Sequence, residues 1–197
     1  MTRIIKILMI MTTMMSTTNV PAQTAGAVID NMLTRHSVRR FTSQPVEEEK
    51  IELMLRAGMQ APTAVNKQPW HFVVVNDKEV KQRIREKSPN GGTFATADQI
   101  IVVCGDLSKQ IEGDGSLFWV MDCSAATENI LLAAHAQGLG AVWTGAYPFK
   151  DYCDMLSSEL HLPEHLMPFA VIAVGYAEKE REVKSKWDAS KVSYNAY

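Results

Sequence analysis

The chain has 197 residues, 46% of them hydrophobic and 21% charged, with a formal net charge of -2, which excludes an intrinsically disordered chain and a polytopic membrane protein. Lys+Arg 20 against Asp+Glu 22 leaves no broad positive field, so nucleic acid is not an expected partner. A domain of roughly 150 residues already buries about 70% of its unfolded surface, so the three cysteines have no required structural task.

Residues 1–22 stand apart in composition. The first fifteen hold five of the 11 methionines, their only charges are Arg3 and Lys6, and the apolar run 7–15 follows. With small residues at Val20 and Ala22, the segment reads as a signal peptide or a disordered leader. Cleavage would make the protein exported or periplasmic, and retention would leave it cytoplasmic. The run is shorter than the about 20 residues that span a bilayer, so no stable membrane insertion is expected. Residues 23–197 then form a single domain with a C-terminal arm. Cys104, Cys123 and Cys153 allow at most one intramolecular disulfide, and none sits in a CxxC pair.

Val28, Ile29, Met32 and Leu33 recur at helical spacing, and Ile51, Met54, Leu55 and Met59 share a face behind the acidic turn at Glu47, Glu48 and Glu49. This second helix is expected to stop near Ala61-Pro62. Short β-branched runs at 71–75, 100–103, 141–144 and 169–174 predict strands covered on both faces, which requires flanking helices. Residues 117–137 supply the longest helix, with Gly138 as its stop and the small residues Ser124, Ala125 and Ala126 permitting close packing. Asn90-Gly91-Gly92 lacks the ending of a phosphate loop and reads as a mobile loop. Beyond Glu178 charges of both signs alternate. Trp187, Tyr194 and Tyr197 suit an arm laid over a partner better than a solvated tail.

Two segments carry chemistry. Arg35-His36-Ser37-Val38-Arg39-Arg40-Phe41 puts three guanidinium groups, an imidazole and a hydroxyl into seven residues, a donor set that matches phosphate oxygens or, equally, a solvated basic helix end. Ala61-Pro62-Thr63-Ala64-Val65-Asn66-Lys67-Gln68-Pro69-Trp70 sets two amides and a hydroxyl between prolines. Asn66 and Gln68 each donate and accept, as the edge of a heterocycle demands. His161 and His165 stand four apart, but Pro163 breaks the helix a metal pair would need. Cys123 and His135 lie some three turns apart on one helix and cannot form a nucleophile pair within a subunit.

Together the two segments resemble the nitroreductase family of FMN-dependent oxidoreductases, which carry an Arg-x-Ser-x-Arg-x-Phe block and an Ala-Pro-Ser-x-x-Asn-x-Gln-Pro-Trp loop. The resemblance continues at Gly138-Leu139-Gly140, leading into Trp143-Thr144-Gly145, and at the basic-aromatic stretch 184–195. It implies an α+β fold, an α/β/α sandwich whose mixed, mainly antiparallel sheet is flanked by helices, in an intertwined homodimer with FMN at the interface. Arg35, Ser37 and Arg39, with His36 beside them, match the positions that hold the FMN phosphate and ribityl chain. Asn66 and Gln68 border the flavin, with Pro62 and Thr63 at the edge, Thr63 standing where serine is usual. Trp143, Thr144 and Gly145 cover one flavin face or edge, and Lys184 or Lys186 supplies a second phosphate clamp. The implied activity takes a hydride from NADH or NADPH and reduces a small-molecule electron acceptor, such as a nitroaromatic or quinone, by a ping-pong mechanism. The alternatives are a flavin carrier or regulatory protein without turnover, and a specialised flavin-cleaving or dehalogenating relative.

Overall fold

A computed structural model describes residues 25–197; the expected leader, residues 1–22, lies outside them. Helices α1 (Ala25–Thr34), α2 (Glu48–Met59), α3 (Lys78–Lys87), α4 (Phe118–Ala136) and α5 (Lys150–Glu159) surround strands β1 (Trp70–Val75), β2 (Gln99–Asp106), β3 (Gly140–Gly145) and β4 (Leu166–Gly175). The sheet order is β1-β2-β4-β3 and every strand pairing is antiparallel. The sheet, expected to be mixed and mainly antiparallel, is antiparallel throughout its four strands, and a parallel contact enters only as an isolated bridge between Ser37 and Ala141.

The expectation of strands covered on both faces is met at β2 and β4, the two central strands, which are buried almost end to end. Side chains alternate between two cores, as the two-residue period of a strand dictates. Ile100, Val102 and Cys104 face one core with Ile84 of α3 and Tyr152 and Leu156 of α5. Ile101 and Val103 face the other with Met54 of α2 and Cys123 and Ile130 of α4. This is an α/β/α sandwich. Helix α4 is apolar enough in composition to cross a membrane, and the fold uses that apolarity by burying Trp119, Cys123, Ala126, Ile130 and Ala134 between α2 and the sheet.

Helix ends follow from local chemistry. Gly138 takes a left-handed φ of 74°, and the amide of Leu139 returns to the carbonyl of Ala134 at 2.9 Å, closing α4 as a glycine at this position permits. Asn90-Gly91-Gly92 corrects its expectation. The segment enters a 3-10 turn, Gly91–Phe94, with Gly91 and Phe94 buried, because the phenyl ring has a core to fill. The face of α1 carrying Val28, Ile29, Met32 and Leu33 is exposed, Leu33 by 68%, so its apolar periodicity serves no core among the described residues.

Candidate functional site

Immediately after α1 the basic segment crosses the end of the sheet. Arg35 N donates to Asn31 O at 3.1 Å, Val38 N to Ala141 O at 3.0 Å, Thr42 N to Tyr176 O at 2.8 Å, and Glu178 N to Arg40 O at 3.1 Å. Residues 35–42 are thereby laced to the start of β3 and to the chain leaving β4. Backbone pairing thus sets the order of the donors along this edge.

Arg35 and His36 line a cavity of about 430 Å³ together with His135, Gly140, Lys179 and Arg181. An adjoining cavity of about 380 Å³ is lined by His36, Ser37, Arg39, Lys179 and Arg181. Both volumes fall within the roughly 300–1,000 Å³ of ligand clefts. Arg35 Nε lies 3.1 Å from Glu128 Oε1 on α4. His36 Nδ1 sits 3.2 Å from Thr34 O; a carbonyl only accepts, so Nδ1 is the protonated nitrogen and Nε2 is left for other partners. Thr34 Oγ1 and His135 Nε2 are 2.8 Å apart, and the two imidazoles meet edge to face at 6.2 Å. Partial burial, and then the neighbouring His36 and Arg35, hold His135 below the usual imidazole range, so it stays neutral at pH 7.

The amide loop lies elsewhere. Its Ala64 amide donates to the buried Asp122 carboxylate of α4 at 3.0 Å, Gln68 N to Thr63 Oγ1 at 3.2 Å and Gln68 Nε2 to Asn66 Oδ1 at 3.1 Å. Val65, Asn66 and Gln68 all have left-handed φ, 43°, 56° and 48°. A β-branched residue in that region is strained, and such strain concentrates at functional sites. Pro62, Asn66 and Gln68 are exposed and Thr63 is half-buried. On β3, Trp143 packs against Phe169 at 5.5 Å between ring centres, Thr144 Oγ1 donates to Val171 O at 3.0 Å, and Gly145 is exposed.

The residues predicted from sequence therefore fall into several separate groups. Arg35, His36, Ser37 and Arg39 gather near the start of β3, whereas Trp143, Thr144 and Gly145 occupy its other half, about 10–17 Å from Gly140 at 3.3 Å per residue. The amide loop docks at Asp122, about 13 Å along α4 from the cavity-lining Leu131 at 1.5 Å per residue. Lys184 and Lys186 are exposed and do not line these cavities. Lys179 and Arg181 do, and sequence reasoning passed over them because they stand in an alternating charged run. Glu128 and His135 were also missed, although both stand on the face of the predicted α4 that a helix wheel sets near Leu131.

The cysteines offer no further chemistry. All three are buried and free. Burial pushes the Cys104 thiol up to about 12 and the Cys153 thiol up to about 11, and raises Cys123 as well. None is a thiolate nucleophile at neutral pH.

Residues 32–93 and 87–176 match the sequence profile of the Nitroreductase family. A Methanothermobacter thermautotrophicus protein, named as a proposed NADH dehydrogenase/NAD(P)H nitroreductase, is 42% identical over 166 residues, 84% of this chain and 85% of that protein. A solved structure of the same designation from Bacteroides thetaiotaomicron VPI-5482 is 44% identical, with a TM-score of 0.81 over 87% of this chain and 98% of that one. A proposed nitroreductase from Desulfovibrio desulfuricans, solved in complex with FMN, is 28% identical, with a TM-score of 0.74 over 86% of this chain and 97% of that one. By profile, sequence and architecture together, the chain belongs to the nitroreductase family.

Proposed function

We propose that the protein is an FMN-dependent oxidoreductase that takes a hydride from NADH or NADPH and reduces nitroaromatic, quinone or similar electrophilic acceptors. The observation that carries this reading is the convergence of Arg35, His36, Ser37, Arg39, Lys179 and Arg181 on two adjoining cavities in a chain of this family. The donor set fits FMN: guanidinium forks, a hydroxyl and an ammonium suit a dianionic phosphate, and they outnumber the carboxylates of Glu178 and Glu180 that line the same cavities. Strand β3 leads from that end towards Trp143, Thr144 and Gly145, so one extended ligand has its phosphate and its ring served by opposite ends of one strand.

When bound, FMN supplies a two-electron carrier between a nicotinamide and an acceptor. The chain's own residues do the rest. Arg35, Ser37 and Arg39 would bind the phosphate with Lys179 and Arg181 beside them, and Lys184 or Lys186, which line neither cavity, would add a second clamp only from an arm that closes over the site. Pro62, Thr63, Asn66 and Gln68 border the ring system, where Asn66 and Gln68 offer both donors and acceptors. Trp143, Thr144 and Gly145 would cover one side, and flat substrates would use a gap on the other. Donor and acceptor use that gap in turn, which predicts parallel double-reciprocal lines; intersecting lines would count against a shared gap.

A homodimer belongs to this reading. The exposed apolar face of α1, Leu117, Phe118 and Met121 around the start of α4, and the exposed Trp187 and Tyr194 of the arm are the apolar surfaces that a second subunit would cover. A second subunit that covers this surface brings its own amide loop to the interface. The test is an anaerobic visible spectrum of protein reconstituted with FMN and desalted, before and after NADH and then NADPH. Retained yellow that bleaches supports the reading. Yellow that persists favours a carrier, and a colourless protein overturns the FMN assignment.

A further inference from the structure

Arg35 is more buried than Arg39 and Arg40, which are exposed, its side chain 19% exposed, and it pairs with α4, Nε lying 3.1 Å from Glu128 Oε1. A carboxylate beside a site for a dianion is at first sight a liability, because it repels the ligand. The choice of nitrogen resolves this. A guanidinium gripped at Nε keeps its two terminal nitrogens for a second, bidentate partner. The surrounding contacts serve the same end: Asn31 Nδ2 donates to Leu132 O at 3.1 Å, and Thr34 Oγ1 meets His135 Nε2 at 2.8 Å, so the last turn of α1 is pinned to α4 just ahead of Arg35. The backbone is fixed by those two contacts and the side chain by Glu128.

We propose that Glu128 is a positioning residue that holds Arg35 through their ion pair, closest at Nε, so that the terminal nitrogens of the guanidinium are left for a phosphate in the cavity. This rests on Arg35 being a phosphate ligand. Glu128 itself touches no ligand, and it orders a long side chain that would otherwise lose rotamer entropy on binding.

The sign of the effect separates positioning from simple charge. If Glu128 acts only as a negative charge, Glu128→Ala and Glu128→Gln both tighten FMN. If it positions Arg35, Glu128→Ala weakens FMN by about fivefold, part of the about tenfold to hundredfold that a charge-assisted contact carries. Glu128→Gln, which keeps the acceptor oxygen, then restores affinity to within about twofold of the unmodified protein or better. The measurement is quenching of flavin fluorescence on titration of the apoprotein with FMN and, separately, with riboflavin, which lacks the phosphate. The expected result is a loss for Glu128→Ala with FMN alone, and no further loss when it is combined with Arg35→Ala. Tighter or unchanged FMN binding by Glu128→Ala, or an equal loss with riboflavin, overturns the proposal. Unchanged FMN affinity in Arg35→Ala itself would instead show that Arg35 is no phosphate ligand, and the positioning role would fall with it.

Discussion

A methyl group added at Gly140 links the fold to the site more directly than any change to a charged residue. A Cβ there would lie 2.8 Å from Val38 Cβ and Cγ1 and 2.9 Å from Cγ2, against about 3.5–4.0 Å for comfortable carbon contacts. The approach must therefore open by about 1 Å. Val38 cannot simply turn away, because its own Cβ is part of the clash and its amide is tied to Ala141 O at 3.0 Å. The segment has to move, carrying Ser37 and Arg39 with it. Overpacking of this kind costs about 1–3 kcal/mol, a fall in Tm of roughly 2–12 °C for a domain of this size. The same displacement should weaken FMN binding by about tenfold or more, because a shift near 1 Å exceeds the tolerance of a charge-assisted contact. Thermal unfolding by circular dichroism and flavin titration of Gly140→Ala check both. Combination with Val38→Ala, which removes two of the three clashing carbons, should recover part of each loss. A Tm and an FMN affinity both unchanged in Gly140→Ala would refute the reasoning that this close approach sets the site.

Other outcomes are open to direct measurement. Ile130→Ala removes a fully buried side chain of α4 and should destabilise the protein by about 2–5 kcal/mol in urea unfolding, with the m-value retained. The three cysteines should resist a thiol reagent such as DTNB in the native protein at pH 8, since they are buried and Cys104 and Cys153 are pushed up to about 12 and about 11. Three equivalents should react on unfolding, and fewer would reveal a disulfide. His135 is held below its unfolded value, so the unfolded chain binds the proton more readily. Its contribution is therefore complete above about pH 6.5 and declines as the pH falls towards the lower folded value. The decline in Tm between pH 7.5 and 5.5 should be shallower in His135→Gln, and an identical profile would remove His135 as a cause.

Much of the fold was legible because local chemistry repeats with a period. The β-branched runs located all four strands, and the apolar spacing located α2 and α4 to within a residue or two of their ends. Strands β2 and β4 run further than expected, to Asp106 and back to Leu166, because Cys104, Gly105 and Pro168 are poor strand formers held in place by partners on the neighbouring strand. Helices α3 and α5 escaped notice: each has few apolar residues, although Asp77, whose carboxylate accepts from Val80 N at 2.9 Å, is an N-cap signal visible in the sequence. At the site, the residue types were readable and their grouping was not.

By itself the sequence determined the four strands and helices α2 and α4, that the central strands are covered on both faces, and which short blocks carry phosphate-type donors and amide donors, since all of these depend on neighbours a few positions away. Tertiary structure alone decided the order β1-β2-β4-β3, the left-handed backbone of the amide loop, and the convergence of Arg35 with Glu128 and His135 and of the whole basic segment with Lys179 and Arg181. Those contacts join residues about 100 or more positions apart, and their geometry is set by how two layers of helices pack on one sheet, which no local period records.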